Sequence, residues 1–225
     1  MNRVCVFIDG SNLFHALKRS NTPTRMDYYQ FSKALADQAK DRSLVRIYYF
    51  NGAFDPAAFP DKASAQKEFF DSLDRTPYLD LRLGRIISNR NGERMEKGVD
   101  VRMATDMVYY AARDFYDTAI VVTEDQDFVP AINSVKELGK QVEVVLSRDA
   151  ANRDMIRSAD RVIWFDDFLK VHKNTNMFPE DPGKGKVPHA TPVPTSEVLP
   201  PSDDAEEDEG SRSKRAPDDN IGNRV

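Results

Sequence analysis

One cysteine and three histidines are all that the sequence offers as soft metal ligands or as partners in nucleophilic catalysis. Cys5 has no second cysteine to pair with, which excludes an internal disulfide and fits a reducing, cytoplasmic setting. A lone cysteine inside an apolar run is expected as a small buried side chain. His15, His172 and His189 are scattered, so neither a zinc site nor a Ser-His-Asp triad is suggested. No Gly-x-x-x-x-Gly-Lys-Ser/Thr loop is found and no Gly-x-Gly-x-x-Gly follows a strand, which argues against phosphate-cradling nucleotide folds. Long apolar runs are missing as well. Val4-Cys5-Val6-Phe7-Ile8 stops at Asp9, too short for a signal-peptide core or a bilayer span, so no membrane partner is expected.

The net charge of −5 is unevenly spread. Residues 1–172 hold 26 acidic and 25 basic side chains, whereas the remainder holds 11 and 7. A near-neutral body binds nucleic acid only where its cations cluster, so overall charge decides nothing here. Eight of the 13 prolines fall after residue 172, beside Gly183-Lys184-Gly185-Lys186 and the acidic run from Asp203 to Glu209. Few large apolar residues remain there to offset the entropy of ordering. The organisation read from this is one domain over 1–170 and a disordered, Pro-rich acidic tail over 171–225. The tail reads as a solvated segment, or as an acidic arm that competes with nucleic acid or tethers protein partners.

The body alternates strands and helices. Val4–Ile8 has the continuous apolar pattern of a strand buried on both faces, and Ser11 and Asn12 can cap a helix reaching Arg19. Helical spacing follows over Tyr28–Asp41, a strand over Leu44–Phe50, a helix over Asp61–Leu73 and a strand over Leu79–Ile87. Asn91-Gly92 marks a turn. A helix over Gly98–Arg113, a strand over Ala119–Thr123, a helix over Phe128–Leu138 and a strand over Val142–Leu146 come next. A short helix over Asn152–Ser158 and a strand over Arg161–Trp164 complete the domain. Such alternation predicts an α/β fold, a mostly parallel sheet between helix layers.

Asp9 directly follows the first strand, and Asp125 and Asp127 follow Ile120-Val121-Val122-Thr123. Ligands of open parallel sheets bind at the carboxyl ends of strands, so these acids share one edge if the two strands are neighbours. Asp100 and Asp106 lie on the helix leading into the second of these strands. Six residues is about 240° around a helix, so both cannot point the same way unless Asp100 sits at its start. Each acid alone reads as readily as a cap or a solvated side chain. Together they form a repelling cluster that a cation would neutralise, and all-oxygen ligands suit Mg²⁺ or Mn²⁺. Arg82, Arg85, Arg90, Arg94 and Lys97 surround the Asn-Gly turn, either as a phosphate-holding surface or as an ordinary solvated hairpin. Tyr48, Tyr49, Phe50 and Phe54 could stack bases, but aromatics in and after a strand more often belong to the core.

Three ordered stretches carry a resemblance: Phe7-Ile8-Asp9-Gly10-Ser11-Asn12, then Lys97-Gly98-Val99-Asp100 with Asp106, then Val121 to Pro130. The chain resembles, over roughly residues 3–166, the NYN domain of LabA-like proteins in the PIN-like nuclease superfamily. The resemblance implies a three-layer α/β/α fold with a central, mostly parallel sheet and metal-dependent ribonuclease activity. It also implies metal-binding roles for Asp9, for Asp106 or Asp100, and for Asp125 and Asp127. Of the two helix positions, Asp106 better matches the PIN-like aspartate. The sequence departs from the family at Thr123-Glu124, where Ser-Gly is usual.

The expectation is hydrolysis of an RNA phosphodiester with Mg²⁺ or Mn²⁺, carried by Asp9, Asp100, Asp106, Asp125 and Asp127. Asn12, Lys97, Arg85, Arg94 and Thr123 would bind substrate. DNA is the other nucleic acid to consider, and a homo-oligomer is left open. The alternative is a catalytically weak RNA-binding or regulatory module of the same fold. An Asp-dependent phosphohydrolase of the haloacid dehalogenase type fits less well, because Asp9-Gly10-Ser11 lacks the second acid.

Overall fold

The computed structural model describes residues 1–88, 94–172 and 175–178. Its strands are β1 (Asn2–Asp9), β2 (Arg42–Phe54), β3 (Leu79–Ser88), β4 (Arg94–Lys97), β5 (Thr118–Val122), β6 (Gln141–Leu146) and β7 (Arg161–Trp164). Among the described residues they form one sheet in the order β4-β3-β2-β1-β5-β6-β7, parallel except where β4 pairs with β3. The helices are α1 (Gly10–Arg19), α2 (Tyr28–Ala36), α3 (Pro60–Asp74), α4 (Val99–Ala112), α5 (Val129–Glu137), α6 (Arg153–Ser158) and α7 (Phe165–His172).

The unbroken apolar run of β1 is explained by helices on both faces. Val4, Val6 and Ile8 pack with Leu13 and Leu17 of α1, Phe31 and Leu35 of α2, Phe70 of α3 and Phe168 of α7. Cys5 and Phe7 face the other way, onto Met103 and Met107 of α4, Ile132 of α5 and Met155 of α6. Each such buried side chain contributes about 1.5–3 kcal/mol. Burial also pushes the Cys5 thiol up to about 12, consistent with an inert packing role. Tyr48, Tyr49, Phe50 and Phe54 are all buried, so they belong to the core and not to a stacking surface.

The chain winds outward from β1 to β2 and β3, then returns to place β5 on the opposite side of β1. The seam between β1 and β5 is therefore the switch point, where crossovers leave to opposite sides and a crevice opens at the strand ends. Ile8 pairs with Val122 at that seam, so Asp9 and Thr123 emerge side by side. The opposite, N-terminal edge is held by ion pairs. Arg42 meets Glu143 at 2.6 Å with both side chains nearly buried, and Arg3 grips Asp117 through its backbone and guanidinium.

Several boundaries differ from the sequence reading. The helix over 28–41 ends at Ala36, and the chain turns into β2 through Asp41 at φ 59°. The cap of α1 is Asp9, not Ser11 or Asn12. A further helix, α7, follows β7 directly, and beyond it Met177 is buried in the core while its carbonyl accepts from the Asp27 amide. The Asn91-Gly92 turn and the tail from residue 179 lie outside the described residues.

Gly84 lets α4 and β4 close on β3. A Cβ there would lie 2.4 Å from Val99 Cγ2 and 2.7 Å from the Lys97 carbonyl. Gly84→Ala should therefore cost about 1–3 kcal/mol, seen as a lower urea midpoint at unchanged slope. An unchanged midpoint would contradict this close approach.

Candidate functional site at the β1–β5 edge

Asp9 ends β1 and caps α1, so its carboxylate is fixed by the strand–helix junction itself. It is 3% exposed. Its Oδ1 accepts from the Asn12 amide at 3.0 Å and its Oδ2 from Asn12 Nδ2 at 2.5 Å. Thr123 Oγ1, arriving from the end of β5, donates to the same Oδ2 at 3.2 Å. Burial pushes the Asp9 carboxyl up to about 6; the bonds from Asn12 and Thr123 oppose this, and the charge of Asp100 adds to it. Gly10 is required beside it, because a Cβ would meet the Tyr49 hydroxyl at 2.5 Å.

The loop after β5 is tied to the same point. Thr123 Oγ1 accepts from the Asp125 amide at 3.2 Å, and Asp125 in turn accepts from the Asp127 amide at 2.9 Å, capping a single 3₁₀ turn. Asn12 Oδ1 accepts from the Glu124 amide at 3.4 Å. Glu124 occupies the position where the family usually has glycine, and it has no left-handed backbone. Its carboxylate pairs with Arg19 of α1 and accepts from the Ser147 amide after β6 at 3.3 Å. This residue fastens the loop to two neighbouring elements.

Asp100 stands in the first turn of α4. Partial burial raises its carboxyl, and the charges of Asp125 and Asp127 raise it further. Asp106 is not brought to this edge. It points to Arg82, 3.6 Å away; burial pushes its carboxyl above the usual range, and the charges of Arg82 and Arg102 oppose this. The two acids are thus separated around α4 as helix geometry requires.

Glu96 was not singled out by the sequence. β4 pairs Glu96 with Ile86, and Gly52 leaves room for it: a Cβ there would lie 2.8 Å from Glu96 Oε2. Burial pushes its carboxyl up to about 7, the charges of Asp9 and Asp100 add to this, and a backbone hydrogen bond from Gly52 opposes it. Only the strand alternation of β4, once paired with β3, could have signalled it.

Arg85 and Lys97 are exposed cross-strand neighbours, and Arg94 is exposed beside them. Arg82 is instead occupied with Tyr110 Oη at 3.1 Å, the Tyr48 ring, Asp80 and Asp106. Arg90 lies outside the described residues. Gly98, before α4, takes φ 81°, a left-handed conformation suited to glycine.

Five carboxylates, Asp9, Glu96, Asp100, Asp125 and Asp127, therefore act on one another at this edge. Their all-oxygen donor set fits a hard divalent cation such as Mg²⁺ or Mn²⁺. Among the described residues, no three His, Cys, Asp or Glu side chains already stand close enough together to hold one ion.

The raised carboxyl pKa values make stability depend on pH. A carboxyl with a pKa near 6 or 7 when folded, against about 4 when unfolded, binds protons more tightly in the native state. Its stabilising share is full at low pH and is lost as pH rises from about 4 to about 7. Urea unfolding in EDTA should show wild type losing stability relative to Asp9→Asn across that window. Parallel pH profiles would contradict the burial assigned to Asp9.

Comparison with known proteins agrees with this architecture. The NYN domain model matches residues 3–167. The chain is 25% identical over 181 residues to the Low amplitude and bright protein LabA of Synechococcus elongatus, covering 77% of this chain and 89% of that protein. A 65-residue stretch is 40% identical to an uncharacterized protein of Methanocaldococcus jannaschii, spanning 29% of this chain and 27% of that protein. Among solved structures, a protein of unknown function from Vibrio parahaemolyticus superposes with a TM-score of 0.56 at 20% identity, over 74% of this chain and 94% of that one, a likeness of fold alone. Among the described residues no helix is long and apolar enough to cross a membrane. With most of its length matched by that family model, the chain belongs to the NYN domain family, whose fold is the PIN-like nuclease fold.

Proposed function

We propose that the protein is a metal-dependent ribonuclease that hydrolyses RNA phosphodiester bonds at the β1–β5 edge. The observation that carries this reading is the buried Asp9 carboxylate at the switch point, pressed by the charge of Asp100 and coupled through it to Asp125 and Asp127. Such a charge is costly to keep in the absence of a counter-ion. Membership of the NYN domain family points the same way, since PIN-like nucleases typically use divalent metals.

Asp9 and Asp100 would hold Mg²⁺ or Mn²⁺, with Asp125 and Asp127 from the β5 loop and Glu96 from β4 around them. The ion, when bound, would supply an activated water and charge for the leaving oxygen. Asn12 and Thr123 keep the Asp9 carboxylate from turning, and Asn12 also holds the Glu124 amide, so α1 and the β5 loop keep one geometry. Arg85, Arg94 and Lys97 offer charge for the substrate phosphates. Asp106 has no part in this set; it serves Arg82.

One observation favours a second reading, an RNA-binding or regulatory module of the same fold: no three acidic groups already converge among the described residues. Cleavage of a labelled single-stranded RNA, with the DNA counterpart beside it, separates the two when run in Mn²⁺, Mg²⁺ or EDTA. Metal-dependent cleavage is expected, with Asp9→Asn and Asp100→Asn losing at least about 100-fold in rate and Asp106→Asn keeping most of it. Full activity in Asp9→Asn would overturn the assignment. RNA binding without cleavage under every metal would establish the second reading.

A further inference from the structure

The β3–β4 hairpin has two faces of opposite character. One carries Glu96, half-buried against Gly52 and acting on Asp9 and Asp100. Strand alternation puts the cross-strand pairs Arg85–Lys97 and Ile87–Met95 on the other face. Ile87 and Met95 are 43% and 39% exposed, and Arg85 and Lys97 are exposed beside them. Like charges directly opposite one another weaken an antiparallel pair. Neither cation has an ion-pair partner among the described residues. The face thus sets two cations that have no ion-pair partner among the described residues next to two large apolar side chains, at the edge of the sheet.

We propose that this outer face of the hairpin binds single-stranded RNA, with Arg85 and Lys97 on backbone phosphates and Ile87 and Met95 against unpaired bases. The charge requires an anionic partner. The apolar pair requires one whose bases are uncovered, which a duplex does not offer. Glu96 lies on the opposite face of the same four-residue strand, so RNA held on the outer face would pass over the edge of the sheet to reach Asp9. The inference rests on the reading of that edge as acting on RNA.

The test is fluorescence anisotropy of a labelled single-stranded RNA with the full chain in EDTA, repeated over a range of salt. Arg85→Ala/Lys97→Ala should weaken binding about tenfold or more and lower the slope of log affinity against log salt by about 1.4, about 0.7 per phosphate. Ile87→Ser/Met95→Ser should weaken binding about fivefold or more with the slope unchanged. Wild-type affinity and slope in both variants, or no binding by the wild type at low salt, would overturn the proposal. So would a wild-type dimer that Ile87→Ser/Met95→Ser converts to monomer with RNA binding unaltered; that result assigns the face to a second copy of the chain. Weakened binding in the variants of a wild type that cleaves nothing defeats the nuclease reading alone. Cleavage by a wild type whose hairpin variants bind equally well defeats this inference alone.

Discussion

The carboxylate of Asp9 is held where the fold leaves it almost no water, at the point where β1 and β5 end side by side and their crossovers part. An ionised group in such a place is tolerated only when hydrogen bonds or an opposite charge meet it. Asn12 and Thr123 supply the hydrogen bonds, one from the helix that Asp9 caps and one from the neighbouring strand. Among the described residues no lysine or arginine forms an ion pair with Asp9, and the charge of Asp100 worsens its position. The arrangement works against stability at neutral pH, which supports the chemical role proposed for Asp9.

Much of the surrounding structure can be understood as support for that one carboxylate. Gly10 makes room for Tyr49, and Gly52 makes room for Glu96. Glu124 ties the β5 loop to α1 and β6, so that Thr123 and Asp125 present their groups at the seam. The left-handed Gly98 turns the chain from β4 into α4 and sets Asp100 in the first turn. Farther along α4, Asp106 and Arg82 form a separate polar contact, closed off by Tyr48 and Tyr110.

The layered fold was legible because its signals are local and redundant: buried strands read as continuous apolar runs, and helices as three-to-four spacing. The candidate site was legible as far as the strand ends, since Asp9 directly follows the apolar run of β1 and Asp125 lies in the loop after β5. Helical angle showed that Asp100 and Asp106 part company, but not which faces the edge; that depends on how α4 is rotated by Val99, Met103 and Met107 against the sheet. Glu96 was hidden because its role depends on cross-strand register, which no local pattern encodes. Helical spacing over 28–41 runs past the actual end of α2 at Ala36, and composition does not announce the left-handed Asp41 that leads into β2. α7 carries only a short helical stripe, Phe165, Phe168 and Leu169, directly after a strand. Glu124 departs from the family pattern, and its contacts with Arg19 and Ser147 are visible only in three dimensions.

The most direct test of the central claim is a crystal structure of the wild-type chain grown with Mn²⁺, with anomalous scattering used to locate the ion. The account predicts an anomalous peak at the β1–β5 edge, between Asp9 and Asp100 and within reach of the Asp125 loop. A peak beside Asp106 and Arg82 instead, or Mn²⁺ bound only away from this edge, would contradict it.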